Sequence, residues 1–237
     1  MSDELVNDEN DVTVADTVRW LHDEGLARLS GIGERAMSPI VAYTVDVATG
    51  TITAFPAAVT GPGTDVVAMP ADDLPVPGPT SKRLIVVGVT ATESVLVLDL
   101  AVIAALGINA ERPEATARSW VAQLLLGPQI TIVTNSPELD APAGARCRHA
   151  FIPGGATLFT IDDGQPPVTT VTLNPAIDGP DHLDVADDGS AELYLGTRFW
   201  QLQHVLSVNN LTWAALTAEL ELPAEEHDSL VSGRAGH

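Results

Sequence analysis

The sequence predicts an α+β or α/β fold, a mixed sheet with covering helices, followed by an acidic, β-rich second half. Three observations carry that expectation. Up to residue 136, runs of β-branched residues alternate with stretches of helical period. From residue 137, short β-prone pieces follow one another between turns rich in Asp, Gly and Pro. The chain is 45% apolar but only 4% aromatic, so a globular core must be built from Val, Leu, Ile and Ala. Its 237 residues suffice for one large domain or two small ones.

In chain order, residues 1–11 are polar and acidic and read as a disordered tail. Residues 12–56 read as a helix plus a β-hairpin. Val14, Val18, Leu21 and Leu29 repeat at helical spacing, Thr13 with Asp16 forms a cap, and Gly31 and Gly33 end the helix. Ile40–Val47 and Thr51–Phe55 pair around Ala48-Thr49-Gly50. Residues 57–80 read as a linker or long loop, because Pro56–Pro79 holds six prolines and three glycines.

Residues 81–136 form an α/β segment. Leu84–Val89 and Ser94–Leu100 are apolar strands. Ala101–Leu106 reads as a helix that stops at Gly107. Pro113 opens a second helix where its missing N–H costs nothing, and Ile130–Thr134 returns as a strand. Residues 137–222 form a β-rich segment with a terminal helix. Its strands are Arg146–Ile152, Thr157–Ile161, Val168–Leu173, His182–Ala186, Ala191–Leu195 and Phe199–Val205. Asp187-Asp188-Gly189 makes a hairpin turn, and Asn210 caps the helix Leu211–Leu220. Residues 223–237 read as tail.

Thirty-two acids face eleven bases, of which Lys82 is the one lysine, for a formal charge of −21. Phosphate contacts need Lys and Arg, so bare nucleic acid is excluded as a direct partner, and membrane insertion finds no apolar run long enough. The charge is uneven. Ser81–Ala150 carries six acids and six bases, whereas Phe151–Ala218 carries eight acids and Arg198 alone. Cys147 is the single cysteine, so no intrachain disulfide forms; this fits a cytosolic chain.

No catalytic signature stands out. Val95-Leu96-Val97-Leu98-Asp99 is like the magnesium-side strand of a P-loop ATPase, but Lys82 has no glycine-rich loop before it. Asp99 reads instead as a helix cap. Cys147 and His149 are two ligands, too few for zinc, and His22, His182, His204, His227 and His237 show no helpful spacing. Alternation places Arg146 and Arg148 opposite Cys147, which reads as a core residue. Asp178, Asp181, Asp184, Asp187 and Asp188 lack the spacing of a calcium loop. Gly154-Gly155 reads as a turn. Trp20, Trp120, Trp200 and Trp213 fall in apolar patterns. Phe199 and Trp200 are the candidate partner contacts, on the premise that their strand is an edge. No catalytic, cofactor-binding or metal residue is assigned.

The order of elements resembles the non-repeat region of actinobacterial regulators that carry LysM modules and a bacterial transcriptional activator (BTAD-type) domain. Val41-Ala42, Val45, Gly50 and Ala57-Ala58 match a helix-plus-hairpin unit there. Leu84–Gly88 and Val95–Leu100 match its strand ending in Gly and its "LLxDL" strand, and Ile130–Thr134 its following strand. Gly189–Gly196 and Leu211–Leu220 match the closing strand unit and final helix. The resemblance spans Val12–Leu222. The chain departs from it in lacking a LysM module and tandem helical repeats, and in holding its tryptophan inside the helix. The resemblance implies a non-catalytic sensory or scaffold module and transfers no functional residue.

The functional expectation is a cytosolic protein-interaction or regulatory scaffold module whose partner offers basic or apolar surface. A structural subunit of a larger assembly, such as a secretion apparatus or phage particle with homo-oligomeric contacts, is the alternative. An enzyme of unrecognised type is the third, and it needs a pocket gathering Asp99, His149 and Arg148.

Overall fold

The protein is described here by a computed structural model over residues 12–61, 63–76, 83–141 and 146–221. The expected tails 1–11 and 223–237, Lys82 and the loop residues Pro142 and Gly144 lie outside the described residues.

Thr13 caps the first helix as a capping box. Its hydroxyl accepts from Asp16 N at 3.2 Å, and its own N–H donates to Asp16 Oδ2 at 3.2 Å. Helix α1 (Val14–Trp20) passes through a π turn at Leu21–Gly25 into α2 (Leu26–Arg35). The expected stop at Gly31 and Gly33 does not occur. Gly31 serves close packing: a Cβ there would sit 3.0 Å from Pro75 Cγ.

Strands β1 (Ile40–Asp46) and β2 (Thr51–Pro56) form the expected hairpin. Asp46 Oδ1 accepts from Thr49 N at 2.7 Å, and Gly50 takes a φ of 65°. The proline-rich stretch is more than a linker, because β3 (Val67–Pro70) pairs antiparallel with β2. Strands β4 (Leu84–Thr90) and β5 (Ser94–Asp99) follow as read. The helix expected at Ala101–Leu106 is absent. Asp99 Oδ1 accepts from Ala101 N at 3.0 Å and caps only the 3-10 turn Leu100–Val102. Strand β6 (Ala105–Asn109) then begins, because parallel partners on both sides satisfy its backbone.

Helix α3 (Pro113–Leu125) leads to β7 (Thr131–Thr134) and β8 (Cys147–His149). The rest is β9 (Thr157–Asp162), β10 (Thr169–Leu173), β11 (Asp181–Val185), β12 (Ala191–Leu195), β13 (Arg198–Val205) and α4 (Asn210–Glu221). Asn209, not Asn210, caps α4: its Oδ1 accepts from Thr212 N at 2.9 Å, while Asn210 Oδ1 accepts from Arg118.

Among the described residues the thirteen strands form one mixed sheet, mostly β, in the order β3-β2-β1-β5-β4-β13-β12-β11-β6-β10-β9-β7-β8. Only β6–β10, β6–β11 and β7–β8 are parallel pairs. The segments read as 81–136 and 137–222 therefore interleave, with β6 lying between β10 and β11.

One face of the sheet carries the main core. Leu96, Leu98 and Ile85 share it with Leu183, Leu193 and Leu202 from the far half, packed with Trp120, Val121 and Leu124 of α3 and Trp213 of α4. Gln123 of α3 reads the β4 backbone through both amide atoms: Oε1 accepts from Val86 N at 2.7 Å and Nε2 donates to Val86 O at 3.0 Å. The sheet curls around this core. Phe55 of β2 meets Trp200 of β13 edge-on at 5.4 Å, and Arg198 donates to Pro56 O at 2.8 and 3.1 Å. The other face is covered over β1, β2, β4 and β5 by the N-terminal helices, through Leu21 and Leu29 against Tyr43, Val86 and Val97.

Candidate docking face

Period-two alternation assigns the side chains of β11–β13 to two faces. Leu183, Leu193 and Leu202 point into the core. His182, Tyr194 and Phe199 point away and are register partners across the three strands: His182 faces Tyr194, and Tyr194 faces Phe199. Their rings form a continuous row. His182 and Tyr194 stack at 4.7 Å with planes 20° apart, and Tyr194 meets Phe199 at 5.1 Å. Phe199 is 51% exposed.

Two residues further along each strand, the same face turns polar. Asp184, Glu192 and Gln201 are register partners in the next row, joined by Asn109 of β6. This row borders a hollow of about 470 Å³ that Glu111 also lines. Hydrogen bonds fix the acids. Tyr194 Oη donates to Glu192 Oε2 at 2.6 Å, and Asn109 Nδ2 donates to Asp184 Oδ1 at 2.7 Å. The Glu192 bond is the first cause holding the Tyr194 phenol above its ordinary pKa, so it remains a donor at neutral pH. Among the described residues neither Asp184 nor Glu192 pairs with Lys or Arg; His182 Nε2 lies 3.7 Å from Asp184 Oδ2.

The ring row is bounded on the β6 side by a crossover. Residues 174–180 carry the chain from β10 to β11 and must pass over β6, which lies between them. Gly107 makes room: a Cβ there would sit 3.1 Å from Pro175 Cγ and 3.4 Å from His182 Cβ. Asn174 exchanges hydrogen bonds with the Ala110 backbone, and Asp178 accepts from Asn109 at 2.9 Å. Ile177 on this crossover is 86% exposed.

Beyond the hollow, a larger cleft of about 790 Å³ lies at the carboxyl ends of β6 and β11 and the start of α3. Parallel strands followed by helices often bind phosphates at such a place. Here Pro113 removes an N–H, and Glu111, Glu114 and Asp187 bring negative charge. Buried Arg118 is committed to Glu138, at 2.8 Å to its O and 2.5 Å to Oε2, and to Asn210. Arg112 also lines the cleft, but the carboxylates outnumber it, so the cleft is not a basic phosphate cradle.

Of the two residues picked from sequence, β13 holds both but not at an edge, since it lies between β12 and β4. Phe199 joins the open ring row; Trp200 points inward against Phe55. Asp99 is buried in its cap, whereas Arg148 and His149 are exposed on β8, and no described cleft brings the three together. Cys147 is buried, and burial first of all pushes its thiol up from its ordinary pKa. Arg146 caps the end of α3 through Leu125 O and Gly127 O. Asp181 and Asp188 hold turns through Gly196 N and Ser190 N. Among the described residues no three His, Cys, Asp or Glu side chains are placed to hold a metal ion, and no helix is long and apolar enough to cross a membrane.

Motif spacing marks neither Tyr194 nor Glu192, and it presents His182 and Asp184 only as metal ligands without the spacing of a site. The pattern that marks them is a ring two residues from a polar group on three consecutive strands: His182-x-Asp184, Glu192-x-Tyr194 and Phe199-x-Gln201. No protein family, curated protein or solved structure matches this chain.

Proposed function

We propose that the chain is a non-catalytic protein-interaction module, a cytosolic regulatory scaffold of the kind its resemblance to BTAD-type regulators implies, and that it docks a partner with apolar and basic surface on the open face of β11–β13. The observation that carries this reading is the pairing of two rows on one uncovered face: rings in His182, Tyr194 and Phe199, and carboxylates in Asp184 and Glu192 over a hollow. Exposed apolar surface beside uncompensated charge is the signature of a docking site more than of a solvated face. The stack of His182 on Tyr194 disfavours a sugar platform, because it takes one face of the tyrosine ring, while Phe199 is tilted against it.

The test compares the wild-type chain with Phe199→Asp and Glu192→Lys as baits in the native cell, read by mass spectrometry. The reading expects a partner that is retained at low salt, released at high salt, and lost from both variants. A partner held equally by the variants overturns it. The assembly-subunit alternative predicts a discrete large homo-oligomer in light scattering.

A further inference from the structure

We infer that the occupant of this face is a cationic amphipathic α-helix lying across β11–β13, with its apolar stripe on the His182–Tyr194–Phe199 row and its Lys or Arg flank over Asp184, Glu192 and the hollow. The inference rests on the docking reading above and specifies the partner's form.

Backbone chemistry selects a helix. Strands β11, β12 and β13 are each paired on both sides, so they offer no free ladder to an incoming strand. An extended segment laid on the sheet face would leave its own N–H and C=O groups without partners as it shed water. A helix satisfies those groups internally and meets the face with side chains alone.

The dimensions agree. Neighbouring strands lie about 4.8 Å apart, so the row presents contacts at nearly the 5–6 Å spacing of side chains at i, i+3, i+4 and i+7 on a helix. The acid row lies about 6.7 Å away along the strands, within reach of Lys or Arg on the helix flank. Charge then fixes the sign. Asp184 and Glu192 are held by Asn109 and Tyr194, yet each carboxylate keeps lone pairs for further donors. Glu111 adds a third carboxylate to the hollow, among whose lining residues there is no Lys or Arg. The crossover carrying Ile177 bounds the row at β6, and its exposed side chain offers the helix end an apolar contact.

Binding of synthetic peptides to the full chain tests this. One probe of about 16 residues, near four helical turns, carries Leu at i, i+3, i+4 and i+7 and Lys on the flanks. A second has the same composition in scrambled order, and a third has Glu for Lys. Isothermal titration gives affinities, and circular dichroism reports helix formation on binding. The amphipathic Lys peptide is expected to bind at least about tenfold more tightly than the scrambled one and to gain helicity. Phe199→Ala and Glu192→Gln are each expected to weaken it about fivefold or more, Glu192→Gln also flattening its salt dependence. Equal binding of the scrambled peptide overturns the inference, because it reduces the effect to attraction by a chain of charge −21. So does tight binding that neither substitution changes, and so does absence of binding by the helical probe. If these peptides fail while the cellular partner is still lost from the Phe199→Asp and Glu192→Lys baits, the helix is wrong and the docking face stands.

Discussion

Arg83 is the side chain whose removal tests the fold most directly. It is 1% exposed and lies just before β4, yet its guanidinium donates to the β9–β10 connection eighty or more residues away. Nη2 reaches Asp163 Oδ1 at 2.5 Å and Gln165 O at 2.7 Å; Nη1 reaches Pro167 O at 2.6 Å and Thr169 Oγ1 at 3.1 Å. Arg83→Met removes the donors and leaves Asp163, 11% exposed, without its countercharge. Breaking a buried pair by deleting one partner costs about 3–5 kcal/mol. For a chain of this length that lowers Tm by roughly 6–20 °C. Asp163→Asn keeps an acceptor oxygen and loses less, about 1–3 kcal/mol. Thermal and urea unfolding of the two single variants and the double variant give the coupling, expected at about 1–3 kcal/mol. The pair also has a pH signature. Burial alone would raise the Asp163 carboxyl, but hydrogen bonds from Arg83 and Gln165 N and the charge of Arg83 hold it below its ordinary 3.8. A carboxylate with a depressed folded pKa stabilises fully above its unfolded value and loses that contribution as pH falls through the folded one. The wild-type advantage over Asp163→Asn should therefore persist down to about pH 4 and shrink below it. A Tm within about 2 °C of wild type for Arg83→Met, or no coupling in the cycle, refutes the reasoning.

Gly88→Ala should cost about 3 kcal/mol or prevent folding, since a Cβ there would sit 2.1 Å from His204 O in the paired strand; urea denaturation reads it. Gln123→Leu strands both backbone groups of Val86 and should lose about 2–4 kcal/mol in the same assay. Asn209→Ala removes the α4 cap at a cost of about 1 kcal/mol, seen as faster limited proteolysis near residue 210. Phe199→Ala, on the open face, should cost no more than about 1 kcal/mol, the worth of its cross-strand ring contact with Tyr194, while weakening partner binding, so that a drop of several kcal/mol would place it in the core instead.

What was legible in the sequence was local. The β1–β2 hairpin, the β4–β5 pair, the start of α3 at Pro113 and the Asp187-Asp188-Gly189 turn all announce themselves through neighbours in the chain. What was not legible is non-local. Ala105–Asn109 is strand because β10 and β11, sixty to eighty residues later, flank it; its own apolar run fits a helix equally well. Val67–Pro70 hides among prolines and is strand only through β2. Asn209 and Asn210 are adjacent candidates for one cap, and the choice falls to Arg118, which takes Asn210. Phe199 and Trp200 were picked as a pair because they are adjacent, but adjacency in a strand means opposite faces. The partners of Phe199 are Tyr194 and His182, which only strand register supplies.

The same register explains where the acidity of the second half goes. On β11–β13 the core-facing parity carries Leu183, Leu193, Trp200 and Leu202 and admits charge only in the end row of Asp181 and Arg198, so the remaining charges enter at alternate positions on the far face. Over β1, β2, β4 and β5 that far face is also closed, by Leu21 and Leu29 of the N-terminal helices, and β4 and β5 are accordingly apolar on both sides. Charge on the sheet is thus pushed toward β11–β13, and there it meets a row of rings. Asp184 and Glu192 sit among anions with no Lys or Arg beside them, an arrangement that costs stability through self-repulsion in the free chain. A partner with Lys or Arg above the hollow relieves that repulsion in the same step that covers the rings. The two terms act together only because they occupy successive rows of one face. That makes the coupling between Phe199 and Glu192 in partner binding, measured as a double-mutant cycle, the quantity that separates a built docking face from an acidic surface that happens to carry a phenylalanine. A built face requires the two losses to be non-additive, whereas independent surface effects would simply sum.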